Sequence, residues 1–406
     1  MNDSTTVNAE RMGKGRLAAL AALGAALVAE TPSPSEALVR ARTASIPWAH
    51  ILLALVITRL AWLAIAAHGD QSYLHAMAQF DGSWFKGIMT RGYDVEARGM
   101  SDGDAANWAF FPLYPALLWL VTLGGQLDPE LMGVLLSNVL LAAALGLGCR
   151  YLAITRPDAS PLLFVWLVAS MPYSFYFSAL YSESLFWLLC LASLIDWRCQ
   201  RTGRVMLWTL LLSMTRATGV FWVIAMGIEL LARLRLAAFA ELWRRPDWLL
   251  IGVMGPLGLF LFMAVLYHQT GDALAFSHVQ ISWGREMGNP IVNLVQGLGY
   301  WFTAPETLRP AWQASMALIG IALIGWLGLQ RRWLEMGLAA FTLFIPLATG
   351  LDAIPRYLIG MPVFVLALLD LLTRLPSRLA WGLVALGALF NLWLVENWYD
   401  AAFWLV

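Results

Sequence analysis

The chain has 406 residues, 60% of them hydrophobic and only 13% charged, with a mean hydropathy of +0.67. Soluble domains run at about 45–50% apolar and about 25% charged, so this chain has too few charged side chains to cover ordinary water-facing surfaces. The 26 basic and 26 acidic residues cancel, which leaves no electrostatic footprint for nucleic acid.

Disorder, collagen, coiled coils and secreted disulfide scaffolds are excluded by the same composition. Several apolar runs reach the ~20 residues that cross a bilayer as a helix. They lack the ~10-residue alternation of barrel strands, and a bilayer accepts only helices or closed barrels. The fold class is therefore an all-α polytopic membrane protein. Lys14 and Lys86 are the only lysines, and the other basic residues are arginines. Arginine suits bidentate phosphate recognition, and a GC-rich genome would give the same bias. Cys149, Cys190 and Cys199 form no CxxC and read as buried free thiols. Much of the tryptophan, 21 copies, is expected in interfacial belts.

Residues 1–45 join Ser/Thr/Pro punctuation (Thr31 to Ser35) to an Ala/Leu-rich stretch from Leu17 to Val28. That stretch is about 12 residues long, too short to span. It is compatible with a cleaved signal peptide. Arg40 and Arg42, just ahead of the first full-length run, favour a cytoplasmic tail, partly disordered, with a short surface helix. The membrane domain then occupies 46–406. Its first span is expected over Ile46–Ala67, and further spans near Leu131–Leu152, Leu162–Leu180, Ser184–Trp197, Trp248–His268, Ala311–Leu329, Trp333–Thr349, Tyr357–Leu372 and Leu379–Val395. Arg198, Arg201 and Arg204, Arg233 to Arg245, Arg331 and Arg332, and Arg374 and Arg378 mark inside loops. Outer loops are expected over 68–107, with Asp70, Asp81, Asp94, Glu96, Asp102 and Asp104, and over 269–310.

Two stretches break the alternation. Trp108–Gly124 is short and holds Pro112 and Pro115, and as a full span it would put Arg150 and Arg156 outside. Val205–Leu231 begins and ends on the basic side, yet its roughly 27 residues are too few for two crossings. Its middle reads Thr215-Arg216-Ala217-Thr218-Gly219. Both read as half-helices or re-entrant pieces, which are tolerated only where the backbone is buried or lines a watery cavity. The total is about nine to eleven spans. No inverted repeat of similar halves is visible, which weakens a transporter reading.

Chemistry-bearing residues gather on the outer segments. Asp81 lies between Phe80 and Trp84, where an aromatic setting suits a general base. The competing reading is a helix cap ahead of Trp84-Phe85. Tyr181-Ser182-Glu183-Ser184 joins two spans, so Glu183 is a junctional carboxylate, with Ser182 or Ser184 as candidate caps. Arg216, at membrane depth, needs a phosphate, a carboxylate such as Glu183 or Glu229, or backbone carbonyls. Asp272, Trp283 and Arg285 lie in the second outer loop, and Arg356-Tyr357 near the last outer turn. Arg216, Arg285 and Arg356 together suggest phosphate recognition; snorkelling of Arg285 and Arg356 is the alternative. No Gly-rich phosphate loop and no GxSxG is present, which argues against a nucleotide donor. His50, His68, His75, His268 and His278 lack metal-ligand pairing.

The ordered set Phe80-Asp81-Gly82-Ser83-Trp84, Arg91-Gly92-Tyr93, Ala109-Phe110-Phe111-Pro112-Leu113-Tyr114-Pro115, Leu136-Ser137-Asn138, Tyr181-Ser182-Glu183-Ser184-Leu185-Phe186, Thr215-Arg216 with Gly219, Gly271-Asp272 with Phe276, Trp283-Gly284-Arg285 and Pro355-Arg356-Tyr357 resembles the PIG-V family of membrane mannosyltransferases. That family belongs to the GT-C superfamily and includes the enzyme that adds the second mannose of the GPI anchor. The family pattern has Trp where Phe80 stands, and a Ser-rich residue where Ala353-Ile354 precede the Pro-Arg-Tyr.

The resemblance implies a GT-C-like fold with a large first outer loop and a polyprenyl-phosphate sugar donor, with no cofactor and no indicated divalent metal. It implies Asp81 as catalytic base. It implies substrate contacts from Trp84, Arg91, Tyr93, Asn107, Tyr114, Tyr181, Glu183, Arg216, Asp272, Trp283, Arg285, Arg356 and Tyr357. The acceptor would be a lipid or glycan. Membrane lipids are the surrounding partners, and a partner subunit is compatible with the sequence. Composition points to a bacterial inner membrane with the active site outward. The alternatives are a lipid or solute transporter using Asp81, Glu183 and Arg216 as an ion relay, and a non-catalytic member of the fold.

Overall fold

The computed structural model describes residues 32–402 apart from 70, 101–102 and 304–307. The stretch Leu17–Val28, Asp70 and Asp102 lie outside the described residues. Helix α1 (Pro34–Thr43) opens the described chain with a capping box between Ser33 and Glu36. Arg40 donates to the Ile154 carbonyl at 3.4 Å. Helix α2 (Trp48–Ala66) is the expected first span, with Leu52, Val56, Leu60 and Leu63 exposed along one side.

The segment after α2 is structured, with α3 (Tyr73–Met77), α4 (Asp81–Arg91) and a two-stranded hairpin of β1 (Arg98–Met100) and β2 (Gly103–Ala105). It leads to α5 (Leu113–Val121), α6 (Pro129–Thr155), α7 (Pro161–Ser170) and α8 (Glu183–Arg198). Then come α9 (Thr202–Ser213), α10 (Phe221–Leu234), α11 (Ala237–Arg244), α12 (Pro246–Thr270), α13 (Pro290–Thr303), α14 (Leu308–Leu329), α15 (Trp333–Thr349), α16 (Ile354–Gly360), α17 (Pro362–Leu372) and α18 (Ser377–Tyr399).

Among the described residues six helices are long and apolar enough to cross a membrane: α2, α6, the stretch Ala217–Leu234, α12, α14 and α18. A seventh results if α16 and α17, bent by 79°, count as one. Uninterrupted spans are thus fewer than the apolar runs imply. The expected Leu162–Leu180 span stops at Ser170, and Tyr357–Leu372 breaks after Gly360. Both breaks precede a proline, Pro172 and Pro362. The preceding residues, Met171 (ψ 156°) and Met361 (ψ 112°), are extended, as steric conflict with the proline ring requires. The carbonyls freed by the breaks find side-chain donors. Ser174 and Arg59 donate to the Ala169 carbonyl at 3.2 and 3.4 Å, and Trp187 Nε1 to the Ile359 carbonyl at 2.7 Å. Without those donors, irregular backbone at membrane depth would be untenable.

Of the two parity-breaking stretches the first is a short piece, whereas the second joins a 12-residue helix, α9, to the span-length stretch Ala217–Leu234, so the expectation of half-helices fails for that half. α5 has nine residues, far below a span. α9 and α10 form a hairpin measured against α8. At its tip Arg216 pairs with Glu183, the first residue of α8, at 2.9 Å; at its base Glu229 pairs with Arg198, the last residue of α8, at 2.7 Å. The hairpin tip meets the half-helix directly, since the Leu113 amide donates to the Met214 carbonyl at 3.0 Å.

The arginine-rich loops gather at the base. Arg198 and Arg332 share Glu335, Arg156 and Arg374 share Asp370, and Arg201 pairs with Asp196. Arg156 thus lies at the end where charge asymmetry places it. One expectation needs correction. The segment 269–310 is not loop throughout, because it contains α13, which exposes Ile291, Val295 and Phe302 and packs on α14 and α15. The tryptophans divide: Trp62, Trp187, Trp222 and Trp398 are core residues, whereas Trp48, Trp119, Trp243, Trp301, Trp381 and Trp393 are exposed. Cys149, Cys190 and Cys199 are buried free thiols.

The hairpin is held by close backbone approach. A Cβ on Gly258 of α12 would stand 2.4 Å from the Leu210 carbonyl oxygen of α9. Gly258→Ala should therefore lower stability by about 1–3 kcal/mol through overpacking. Gly325→Ala, where a Cβ meets nothing within 4 Å, should be neutral or slightly stabilising. Thermal unfolding in detergent compares the two.

Candidate active site

Four charged side chains converge at the end opposite the arginine-rich base. Asp81 is the first residue of α4. The N-cap position belongs to Phe80, at φ 52° and ψ −118°, with no side-chain cap bond. A non-glycine residue holds such a conformation at a cost of about 1–3 kcal/mol. Here the Phe80 ring packs on Trp398, centroids 5.3 Å apart, and Gln79 donates to the Trp398 carbonyl at 2.7 Å. The Asp81 carboxylate is therefore not a cap. Its Oδ2 accepts from Arg356 Nη1 at 2.5 Å, and its side chain is 24% exposed.

Glu183 opens α8 and is wholly buried. Its Oε1 accepts from Arg356 Nε at 2.5 Å and from Arg216 Nη1 at 2.9 Å, while Oε2 has no partner among the described residues. A carboxylate at a helix N-terminus also meets the positive end of the macrodipole. Ser182 takes the N-cap position without a side-chain bond, and Ser184 donates to the Phe177 carbonyl at 2.8 Å, so neither hydroxyl caps the helix. Of the two candidate partners for Arg216, the structure selects Glu183; Glu229 serves Arg198 and Arg233.

Arg356, in the first turn of α16, bridges both carboxylates. Its guanidinium lies 4.4 Å over the Tyr181 ring and 5.3 Å from that of Tyr176, geometry in which a cation gains from the ring face. The Tyr181 hydroxyl accepts from the Asp81 amide and donates to the Gln79 carbonyl, both at 3.3 Å. Two guanidiniums and two carboxylates leave the cluster neutral. Arg356 is committed through Nε and Nη1. Arg216 is committed only through Nη1 and is 19% exposed, so it has donors to spare.

One turn along α4, Trp84 stacks on Phe110 at 5.8 Å and meets Trp283 edge-on at 6.0 Å. Trp283 therefore joins the wall beside Asp81. Other expected site residues hold the frame. Tyr93 donates to the Phe110 carbonyl at 2.8 Å, and burial pushes its hydroxyl far above the ordinary range. Asn107 is buried, accepts from the Asp94 amide at 2.9 Å and donates to the Gly92 carbonyl at 3.0 Å. The Tyr114 hydroxyl bonds Ser137 at 2.9 Å.

Three expected residues stand apart. Arg285 donates to Gln280 at 3.2 Å rather than joining Arg216 and Arg356. Asp272 meets His278 at 2.7 Å, and that contact holds its carboxyl below the usual range. Arg91 is exposed, its guanidinium folded back towards Gly87. Tyr357 is half-buried beside Arg356 in sequence. Tyr176 and Trp398 are part of the site's support and were not expected. Tyr176 follows Pro172 in an apolar run, and Trp398 lies far along the chain with no local motif.

Among the described residues no group of three or more His, Cys, Asp and Glu side chains could hold a metal ion. No protein-family model, curated protein or solved structure matches the chain.

Removing one member of a buried ion pair strands the other charge, at a cost of about 3–5 kcal/mol. Arg356→Ala should lose stability on that scale, because Glu183 and Asp81 both depend on it. Arg285→Ala should stay within about 0.5 kcal/mol. Detergent-phase thermal unfolding of both variants checks the contrast.

Proposed function

We propose that the chain is a membrane glycosyltransferase that moves mannose from polyprenyl-phosphate mannose to a lipid or glycan acceptor, with Asp81 as general base. The observation that carries this reading is the Asp81–Arg356–Glu183–Arg216 cluster, in which one carboxylate is partly exposed and one guanidinium has unused donors. The ordered motifs resembling the PIG-V family support the sugar and the lipid-phosphate donor.

The chemistry follows from the groups present. Asp81 Oδ2 is held by Arg356, which leaves Oδ1 to accept the proton of an acceptor hydroxyl. The freed alkoxide attacks the anomeric carbon as the bond to the lipid phosphate breaks. The free donors of Arg216 are suited to the charge that develops on that phosphate. Direct displacement inverts the centre, so a β-linked donor gives an α-mannoside. Trp84, Phe110 and Trp283 offer an aromatic wall for a sugar face or a prenyl chain. On this reading the cluster faces away from the cytoplasm, and the arginine-rich base faces it.

Membranes or purified protein supplied with labelled polyprenyl-phosphate mannose and extracted lipid or glycan acceptors test the activity. Acceptor-dependent transfer supports it. Movement of labelled lipid or solute across the bilayer with no acceptor requirement would instead favour the transporter built on the same charges.

Asp81→Asn should lower turnover by about 10²–10⁴-fold, the usual loss on removing a general base. The variant should stay folded, because the amide oxygen still accepts from Arg356. A stable Asp81→Asn protein with near-wild-type turnover would refute the assignment, and an inactive, stable Glu183→Gln beside it would move the base to Glu183.

Arg216→Ala should raise the donor KM by about ten- to a hundred-fold, the worth of one charge-assisted hydrogen bond. Steady-state kinetics over a donor series show whether the loss falls on the donor or the acceptor.

A further inference from the structure

At the arginine-rich end, away from the charged cluster, a cleft of about 310 Å³ opens between α10, α11 and α12. Met226, Gly227, Phe239, Leu242, Trp248 and Gly252 are among its walls, and every lining residue is apolar. Its volume lies at the lower end for ligand pockets, about 300–1,000 Å³. Two glycines keep it open, since a Cβ on Gly227 or Gly252 would meet no atom within 4 Å.

Helix α11 lies beside the cleft and is amphipathic. Ala238 is buried, whereas Leu236 and Trp243 are 82% and 81% exposed. An apolar face turned outward beside basic residues is the pattern of a helix lying in a membrane interface. That places the cleft among acyl chains rather than in water. The charges around it are unequal: from Asp196 to Asp247, leaving aside Arg216 at the hairpin tip, seven arginines stand against four carboxylates. Arg233, Arg244 and Arg245 are paired with Glu229, Glu241 and Asp247. Arg245 also stacks 4.6 Å over Trp248, a wall of the cleft. Arg235 is exposed and pairs with no carboxylate among the described residues. Surplus positive charge beside an apolar slot selects a lipid with a net negative headgroup, since a zwitterionic headgroup brings its own cation.

We propose that this cleft binds one acyl chain of an anionic phospholipid, whose headgroup phosphate pairs with Arg235. Helix α10 is one wall of the cleft and runs back to the hairpin tip, where Arg216 meets Glu183. A bound chain fills space against the same helix that follows Arg216, whose guanidinium keeps donors to spare beyond its bond to Glu183.

The test uses the full-length protein in phosphatidylcholine nanodiscs containing traces of photoreactive lipid, with the diazirine at the acyl terminus and either a phosphatidylglycerol or a phosphatidylcholine headgroup. Label from the phosphatidylglycerol probe should concentrate on peptides spanning 223–252 and exceed that from the phosphatidylcholine probe. Gly227→Leu and Gly252→Leu, which fill the cleft from helical positions, should cut this labelling about tenfold, the equivalent of about two methylenes leaving an apolar site. Arg235→Gln should abolish the headgroup preference. Equal labelling by both headgroups in the wild-type protein overturns the proposal, as does undiminished labelling in both leucine variants. Should the leucine variants fail to fold, Arg235→Gln decides: a preference that survives it refutes the site.

Discussion

Arg356 ties together elements from distant parts of the chain. Through Nη1 it holds α4, through Nε it holds α8, and Glu183 passes the connection on to the α9–α10 hairpin through Arg216. Its planar face lies on Tyr181, within the irregular segment between α7 and α8. A guanidinium does this because its donors point in fixed directions while its face remains free for an aromatic ring. A lysine ammonium would reach one carboxylate and leave the other stranded. With Arg356 only 8% exposed, each charge requires the others, and the four residues act as a unit.

Around that unit the backbone is broken repeatedly: at Met171-Pro172, at Met214–Arg216, and at Met361-Pro362. Each break is answered by a donor from elsewhere in the fold. Trp187 takes the Ile359 carbonyl, Ser174 and Arg59 take that of Ala169, and the Leu113 amide takes that of Met214. Arg59 pairs with no carboxylate among the described residues. It donates to Asn138 at 2.9 Å and to the carbonyl end of α7, where the negative end of the helix dipole lies.

These answers explain what the sequence could and could not disclose. The membrane class, the short helix α5 and the interruption at Arg216 were legible, because apolar length and the side on which arginines fall are local properties; the span-length Ala217–Leu234 was not. The partner of Arg216 was half legible, as one of two carboxylates. The breaks at Pro172 and Pro362 were not, because Pro256 and Pro346 remain inside α12 and α15. The dipeptide alone does not separate the two kinds of proline. For the same reason Asp81 also read as a cap. Only the left-handed turn at Phe80, fixed by Trp398 at the far end of the sequence, moves the cap position one residue back and turns the carboxylate towards Arg356. Arg285 failed to join the other arginines because Gln280, five residues away, satisfies it locally.

Helix α8 has an ion pair at each end, Glu183 with Arg216 and Arg198 with Glu229. At 1.5 Å per residue those ends are about 22 Å apart, whereas the hydrocarbon layer of a bilayer is about 30 Å thick. Both ends therefore cannot reach opposite surfaces at once. Were the base set at one boundary, Glu183 would lie about 8 Å below the other. Water and headgroups would then have to descend to it, or lipid recede around it. The length of a single rod thus fixes the distance between the two charged ends of the fold.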